Sequence, residues 1–185
     1  MSLKIVIDTD SIINYLRYYS FDKHDKGIIY EKLEEFILSR IAKEEIIVID
    51  KVFKELRRPE TKDFKGHIKK YIYNTEHLIN DIEPLFEENI VEINKRLFAD
   101  WEFVSEKSQY TEKFADLYFI ALCKYLKTQN NDVILITEET ISTDRKLVEK
   151  IPTICERNEI ECRNLPYMLF SIYKDELIFD LKIKN

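Results

Sequence analysis

The sequence predicts an α/β fold with a mostly parallel sheet, and two observations support this prediction. Short apolar runs, typical of strands buried on both faces of a parallel sheet, lie at residues 3–7, 46–49 and 133–136. Longer segments between these runs carry apolar side chains at helical spacing, so that strands alternate with helices along the chain. At 185 residues the chain has the usual length of one domain, and we interpret residues 1–185 as a single domain.

Each helix of this pattern has a local signal. Ser11 is a candidate cap for a helix over residues 11–19, and Asp50 is a candidate cap for a helix over residues 51–58, which Pro59 ends. The other predicted helices cover residues 28–42, 67–80, 84–98 (after a break near Pro84), 112–127, 152–157 and 165–173, and a last short strand covers residues 159–162.

The composition narrows the class of protein. Hydrophobic residues make up 45% of the chain and charged residues 35%, which is typical of a globular domain and not of a disordered chain. No apolar run approaches the length of a membrane span, and Asp8 interrupts the first run before a signal-peptide core forms. The three cysteines are odd in number and form no C-x-x-C motif, which argues against a disulfide framework. We therefore expect a cytoplasmic protein with no membrane partner.

Glycine is rare, and this excludes two common phosphate-binding motifs. The chain has only Gly27 and Gly66, whereas a P-loop and a G-x-G-x-x-G turn each need several glycines close together. Any phosphate chemistry must therefore use carboxylates, metal ions or basic side chains.

The charge is unevenly distributed. The net charge is −6, but residues 51–70 contain eight basic side chains and three acidic ones. This segment is either a solvated helical face or a strip that faces phosphate groups. The candidate phosphate contacts are Lys51, Lys54, Arg57 and Arg58.

Two carboxylates, Asp8 and Asp10, directly follow the first buried run. Ligands of open α/β sheets bind outside the carboxyl ends of the strands, which is where Asp8 is expected. A strand end or a helix cap would account for one carboxylate at this position. Two neighbouring carboxylates repel each other unless a positive charge neutralises them, and a metal ion is the simplest such charge.

Three further segments carry acids that belong with this site. Asp116 lies in an otherwise apolar helical stretch, where an unpaired buried carboxylate is costly, so that it has either a structural partner or a metal. Glu55 lies on the helix after the second strand. After the third strand, Glu139 is the expected fourth acid, although Glu138 and Asp144 remain open and the segment is alternatively a solvated turn. Oxygen ligands of this kind suit Mg²⁺ or Mn²⁺.

Four segments of the chain resemble the PIN-domain family of metal-dependent ribonucleases. They are IVIDTDSIINYL, VFKEL, ADLYFIALCKYL and VILITEE, and they occur in the order that the family has. The resemblance implies a three-layer α/β/α sandwich and a Mg²⁺ or Mn²⁺ site that activates a water for hydrolysis of RNA phosphodiester bonds. It implies that the metal ligands are Asp8, Glu55, Asp116 and Glu139, and that Thr137 orients the fourth acid or the water. Asp10 and Glu138, which neighbour these residues in the sequence, are candidates for supporting roles. The basic residues Lys51, Lys54, Arg57 and Arg58 are candidate contacts to the RNA backbone.

The resemblance also bears on partners, and two other functions stay open. The family includes prokaryotic toxin nucleases, which makes a protein antitoxin and a second copy of the chain candidate partners besides RNA. The first alternative is a haloacid-dehalogenase-like phosphatase, in which Asp8 is the nucleophile and Asp10 the acid and base. The second is a nucleic-acid-binding module on a PIN-like fold that has no catalytic activity.

Overall fold

The computed structural model describes residues 2–19, 28–91, 100–140 and 147–177. A four-stranded sheet in the order β2-β1-β3-β4 forms its centre, and every neighbouring pair of strands is parallel. Helices cover the sheet, so that the predicted α/β fold is confirmed, and the architecture is that of a three-layer α/β/α sandwich. The strands are β1 (Leu3–Ile7), β2 (Ile46–Ile47), β3 (Asp132–Ile136) and β4 (Glu161–Arg163).

The helices follow the predicted alternation with the strands. In the part of the chain that the structure describes they are α1 (Thr9–Tyr19), α2 (Ile28–Ala42), α3 (Asp50–Glu55), α4 (Lys62–Ile68), α5 (Ile79–Glu88), α6 (Asp100–Ser108), α7 (Asp116–Thr128), α8 (Ile151–Arg157) and α9 (Leu165–Tyr167). None of these helices is long and apolar enough to cross a membrane.

The two inner strands account for the apolar runs of the sequence. In β1, Ile5 pairs with Ile46 of β2 on one side and with Ile134 of β3 on the other. The side chains of Ile5 and Ile46 are completely or almost completely buried, because helices cover both faces of the sheet. The three longest strands end at the same edge, and this places Asp8 and Thr137 side by side after β1 and β3.

The central helix α7 forms much of the core. Its residues 117–123 are all buried, which confirms the predicted helix that is apolar nearly all round. The helix begins at Asp116, four residues later than predicted, because a π-helical turn over Gln109–Lys113 precedes it.

The helix predicted over residues 67–80 is wrong. Helix α4 ends at Ile68, and the backbone N–H of Tyr73 then donates to the carbonyl of Val48 at 2.9 Å, so that Tyr73 pairs with Ile49 at the edge of the sheet. Two 3-10 turns, Lys69–Tyr71 and Glu76–Leu78, lie on either side of this contact. The spacing of apolar residues does not distinguish these short turns from one helix, because both patterns place an apolar residue at every third or fourth position.

Three other predicted boundaries also differ. Pro84 lies inside α5 and does not begin a helix. Helix α5 ends at Glu88, and residues 92–98 of the predicted helix 84–98 lie outside the described residues. Helix α3 ends at Glu55 and not at Arg58, since the residue before Pro59 is extended, as proline requires. The predicted helix over residues 165–173 consists of the short α9 and a π-helical turn over Met168–Ile172.

Candidate carboxylate site at the sheet edge

Asp8 lies at the junction between β1 and α1. One carboxylate oxygen, Oδ1, accepts a hydrogen bond from the backbone N–H of Ser11 at 2.6 Å, so that Asp8 and not Ser11 caps α1. The other oxygen, Oδ2, accepts a hydrogen bond from the hydroxyl of Thr137 at 2.5 Å. Only 4% of Asp8 is exposed to solvent. The end of β1 therefore holds a buried carboxylate in a fixed orientation.

Burial makes Asp8 an unusual acid. It raises the pKa of Asp8 to about 6, even though hydrogen bonds from Ser11 and Thr137 favour the ionised form. The negative charge of nearby Asp10 raises the pKa further. A cation beside Asp8 would reverse this effect, because an opposite charge stabilises the ionised carboxylate.

Glu55, the last residue of α3, joins this strand end to the start of α7. Its Oε2 accepts a hydrogen bond from the hydroxyl of Thr9, and its Oε1 accepts one from the backbone N–H of Ala115 at 3.2 Å. Burial raises the pKa of Glu55, and the charge of Asp10 acts in the same direction. The structure therefore brings Glu55 next to the Asp8–Thr9–Asp10 segment, as the sequence predicted.

Asp116 is the first residue of α7 and directly follows Ala115, whose N–H is bound to Glu55. It is half-buried, whereas a fully buried carboxylate was expected from the apolar stretch around it. A negative charge in the first turn of a helix is stabilised by the helix dipole. Asp116 therefore lies on the Glu55 side of the site.

The segment after β3 is attached to Asp8 through Thr137. The Thr137 hydroxyl donates to Asp8 and accepts a hydrogen bond from the backbone N–H of Glu139 at 3.1 Å. The carboxylate of Glu139 accepts from the N–H of Ile151 at 2.9 Å and forms an ion pair with Lys150 at 3.4 Å. Thr137 therefore links Glu139 to Asp8, and the carboxylate of Glu139 binds the start of α8.

Of the two other candidates for the fourth acid, Glu138 lies among the described residues and Asp144 does not. The carboxylate of Glu138 accepts a hydrogen bond from the backbone N–H of Leu165 at 2.8 Å, at the start of α9. Asp144 lies outside the described residues. Asp10 is more closely involved than the sequence indicated, because its exposed side chain is near enough to raise the pKa of both Asp8 and Glu55.

The residue types of this site fit a hard cation. All the donors are carboxylate or hydroxyl oxygens, which Mg²⁺ and Mn²⁺ prefer. Among the residues that the structure describes, no three His, Cys, Asp or Glu side chains are grouped closely enough to hold a metal ion. Mg²⁺ commonly binds through one or two carboxylates and keeps several of its waters. A cation at this site would therefore be held by one or two of these carboxylates and by water, and not by a cage of protein ligands.

The predicted phosphate contacts already have partners within the protein. Lys51 donates to the carbonyl of Glu112 at 3.1 Å and lies over the ring of Tyr118. Lys54 forms an ion pair with Asp50 at 3.3 Å, and the Asp50 carboxylate also accepts a hydrogen bond from the backbone N–H of Thr75. The prediction that Asp50 caps α3 is wrong, because the N-cap position of this helix is Ile49.

The remaining two of these side chains lie after α3. Arg57 donates to the carbonyl of Lys54 at 3.1 Å, and Arg58 precedes Pro59 in extended backbone. Two of the four basic residues therefore lie in α3, the helix that carries Glu55, and the other two lie in the segment directly after it. Contact between these residues and RNA stays a prediction.

A comparison with known families concerns nearly the whole chain. A family model described as a domain of unknown function, DUF4411, matches residues 5–172. The chain belongs to the DUF4411 family. The DUF4411 match spans every candidate acid named above, from Asp8 to Asp144. No curated protein and no solved structure matches this DUF4411 chain.

Sequence reasoning missed two features of the site. Thr9, which binds Glu55, is recognisable from its position between two candidate acids. Arg163 and Tyr167, which line a groove beside the acids, carry no comparable signal, because only the fold brings the end of β4 next to the end of β3.

Thr137→Val tests the contact between Thr137 and Asp8. The substitution keeps the shape of the side chain and removes the donor to a buried carboxylate, so that the free energy of unfolding should fall by about 1–3 kcal/mol at about pH 8. The hydroxyl lowers the pKa of Asp8 in the wild type, so that this pKa should rise in the variant and the loss of stability should be smaller near pH 4. Urea unfolding at the two pH values measures both effects.

Thr128→Val is the matched control for this experiment. Thr128 is exposed near the end of α7 and donates only to the carbonyl of Tyr125, so that its substitution should change stability by less than about 0.5 kcal/mol. Equal effects of the two substitutions would contradict a special role for the Thr137–Asp8 contact.

Proposed function

We propose that this protein is a metal-dependent ribonuclease that hydrolyses RNA phosphodiester bonds with Mg²⁺ or Mn²⁺. The observation that supports this proposal best is the pair of contacts that Glu55 makes, with the hydroxyl of Thr9, the neighbour of Asp8, and with the backbone N–H of Ala115, the neighbour of Asp116. These contacts join acids from three separate segments at one edge of the sheet. Burial without a neutralising cation is unfavourable for two of these acids, as the raised pKa values of Asp8 and Glu55 indicate.

In this mechanism the side chains have separate roles. Asp8 and Glu55 keep fixed orientations, because both oxygens of each carboxylate accept hydrogen bonds from the protein. Asp10 and Asp116 are the more exposed acids, and they would complete the ligand set together with water. A bound cation lowers the pKa of its water and stabilises the charge on the phosphoryl oxygen. Thr137 holds Asp8 in place, and Glu139, the predicted fourth ligand, binds the first turn of α8; its role as a metal ligand stays a prediction.

The choice of RNA as substrate rests on the resemblance to PIN-domain nucleases. On the same basis we propose a role as the toxin of a toxin–antitoxin pair, with a protein antitoxin as partner, and a homodimer as a candidate assembly. Lys51, Lys54, Arg57 and Arg58 are the proposed contacts to the RNA backbone. The three cysteines are all free thiols, which agrees with the proposed location in the reducing cytoplasm.

The environment of Asp8 favours a ligand role over the alternative role of phosphatase nucleophile. A nucleophilic carboxylate needs one oxygen directed at the phosphorus atom of its substrate. Both oxygens of Asp8 are engaged by Ser11 and Thr137, and the residue is almost completely buried.

Titration of Mn²⁺ into the wild type and into Asp116→Asn, followed by calorimetry, tests the proposal. We expect the variant to bind Mn²⁺ at least about tenfold more weakly, which corresponds to about 1.4 kcal/mol, and to lose cleavage of single-stranded RNA. Asp81→Asn, in the exposed first turn of α5, is the control and should bind Mn²⁺ like the wild type.

The other outcomes separate the alternatives. Equal Mn²⁺ affinity of the wild type and Asp116→Asn would favour a site on Asp8 and Asp10 alone, as in a phosphatase. If neither protein binds Mn²⁺, the metal-dependent mechanism is wrong, and a binding module without catalysis is favoured instead.

A further inference from the structure

A groove of about 600 Å³ opens beside the carboxylate site. It lies between the end of β3 and the start of α9, and its lining includes Thr137, Cys162, Arg163 and Tyr167. Thr137 connects the groove to the acids directly, because its hydroxyl donates to Asp8 and its backbone N–H donates to the carbonyl of Arg163 at 2.9 Å. Any group bound in this groove is therefore close to the candidate site.

The groove presents a flat aromatic and cationic surface. The guanidinium of Arg163 lies over the Tyr167 ring, 5.0 Å from its centre, so that the two side chains form a stacked pair, and 37% of Tyr167 is exposed. The backbone at Tyr167 is fixed, since its N–H donates to the side chain of Asn164 at 3.0 Å. Glu161 binds the Nε of Arg163 at 3.0 Å and restrains the guanidinium. Aromatic rings and guanidinium planes are what unpaired bases stack on.

The charges in the groove decide between a base and a phosphate as its occupant. Lys150 pairs with Glu139, and Arg163 pairs with Glu161, so that neither positive charge is in excess. Glu138 adds a negative charge, which is held by the backbone N–H of Leu165. A phosphate binds best where positive charge is in excess. The groove therefore suits a neutral, flat group better than a phosphate.

We propose that this groove is a nucleobase-binding subsite, in which an unpaired base of single-stranded RNA stacks on the pair that Arg163 and Tyr167 form. This inference rests on the proposed ribonuclease function and extends it to the substrate. The bound base would position the neighbouring phosphodiester at the edge that carries Asp8 and Glu55. Tyr167 is then a positioning residue, and the subsite selects unpaired over base-paired RNA.

Binding of a fluorescein-labelled, unstructured short RNA, measured by anisotropy, tests the subsite without relying on cleavage. The measurement is made once in a chelator and once in Ca²⁺. Tyr167→Ala should weaken binding about 5- to 100-fold, which is the range for loss of one stacked base. Tyr167→Phe keeps the ring and should bind within about twofold of the wild type. Tyr125→Ala, which removes a ring of similar exposure (38%) from α7, should bind like the wild type.

Two further readouts distinguish stacking from a general loss of structure. The dependence of affinity on salt should be the same for Tyr167→Ala and the wild type, because no phosphate contact is removed. Cys162 lines the groove and is partly exposed, whereas Cys123 and Cys155 are buried. Bound RNA should therefore slow the alkylation of Cys162 by iodoacetamide, followed by mass spectrometry, and an abasic strand of equal length should not.

The outcomes separate this inference from the proposed function. If Mn²⁺ binding and cleavage are absent but Tyr167→Ala still weakens RNA binding and Cys162 is protected, the subsite stands and the nuclease proposal falls. If cleavage depends on Asp116 while Tyr167→Ala binds RNA as Tyr125→Ala does, the subsite is wrong. Absence of measurable RNA binding in both the chelator and Ca²⁺, or equal protection of Cys162 by the abasic strand, would also overturn it.

Discussion

Asp8→Asn is expected to abolish RNA cleavage and at the same time to stabilise the protein. If the proposed mechanism is right, the activity should fall by about 10³-fold, because Asp8 would then hold the cation that stabilises the transition state, a contribution of several kcal/mol. The fold should become more stable near pH 8 in a chelator, because the variant no longer has to ionise a buried acid. Asparagine can replace both contacts, since its oxygen accepts from the N–H of Ser11 and its amide donates to the Thr137 hydroxyl.

The sign and size of the stability change follow from the pKa of Asp8. Burial raises this pKa from 3.8 to about 6, so that the folded protein binds a proton more tightly than the unfolded chain does. This preference favours the folded state below about pH 4, and it is lost as the pH rises through about 6. The difference between the two pKa values corresponds to about 3 kcal/mol, which is an upper bound for the gain in Asp8→Asn near pH 8. Near pH 4 the gain should disappear.

Urea unfolding of the wild type and the variant from about pH 4 to about pH 8 measures this difference, and RNA cleavage in Mn²⁺ measures the activity. Asp132→Asn serves as the control, because Asp132 is exposed at the start of β3 and should not change stability by more than about 0.5 kcal/mol. A pH-independent destabilisation by Asp8→Asn would show that the carboxylate is a purely structural cap. In the wild type, Mn²⁺ should add stability that the variant does not gain.

Leu135→Ala is expected to have the largest effect on stability. Leu135 is completely buried in the inner strand β3, where it pairs with Val6 of β1 and Cys162 of β4. Removal of its side chain leaves a cavity between tightly packed layers, which costs about 2–5 kcal/mol. This is a large share of the roughly 5–15 kcal/mol by which a domain is usually stable.

Denaturant unfolding near pH 7 checks this value. Val104→Ala on α6 is the control, because Val104 is 65% exposed and its truncation should cost less than about 0.5 kcal/mol. A loss below about 1 kcal/mol in Leu135→Ala would mean that neighbouring side chains move to fill the cavity. The core around β3 would then be less tightly packed than the complete burial of Leu135 indicates.

The two inner strands were predictable, whereas the limits of the outer strands (predicted 46–49 and 159–162, observed 46–47 and 161–163) and of several helices were not. Residues 3–7 and 133–136 form short, mostly apolar runs because β1 and β3 lie inside the sheet with helices on both faces, and a surface helix or an exposed strand rarely has such a run. The amphipathic pattern of residues 67–80 fits one helix and also fits a helix end, a bridge and two turns. Tyr73 leaves the helical path because its backbone N–H donates to the carbonyl of Val48, a contact between distant parts of the chain.

In the candidate site, likewise, the acids were predictable from the sequence and their hydrogen-bond partners were not. Asp8, Glu55, Asp116 and Glu139 were identifiable because each lies next to a predicted strand end or in a predicted helix. The partners of their carboxylates were not. Glu139 satisfies both of its oxygens at the start of α8, and Glu55 is held by Thr9 and Ala115 from elements far apart in sequence.

The sequence by itself determined the α/β class, the parallel strands and the edge of the sheet at which the candidate acids lie. These properties follow from local rules, since the spacing of apolar residues sets the elements and parallel strands share one carboxyl edge. Only the tertiary structure decided which acid binds which donor, that Asp8 is buried enough to raise its pKa, and that Arg163 and Tyr167 line a groove beside it. Burial and long-range hydrogen bonds depend on which distant segments pack together, and no local pattern in the chain encodes that.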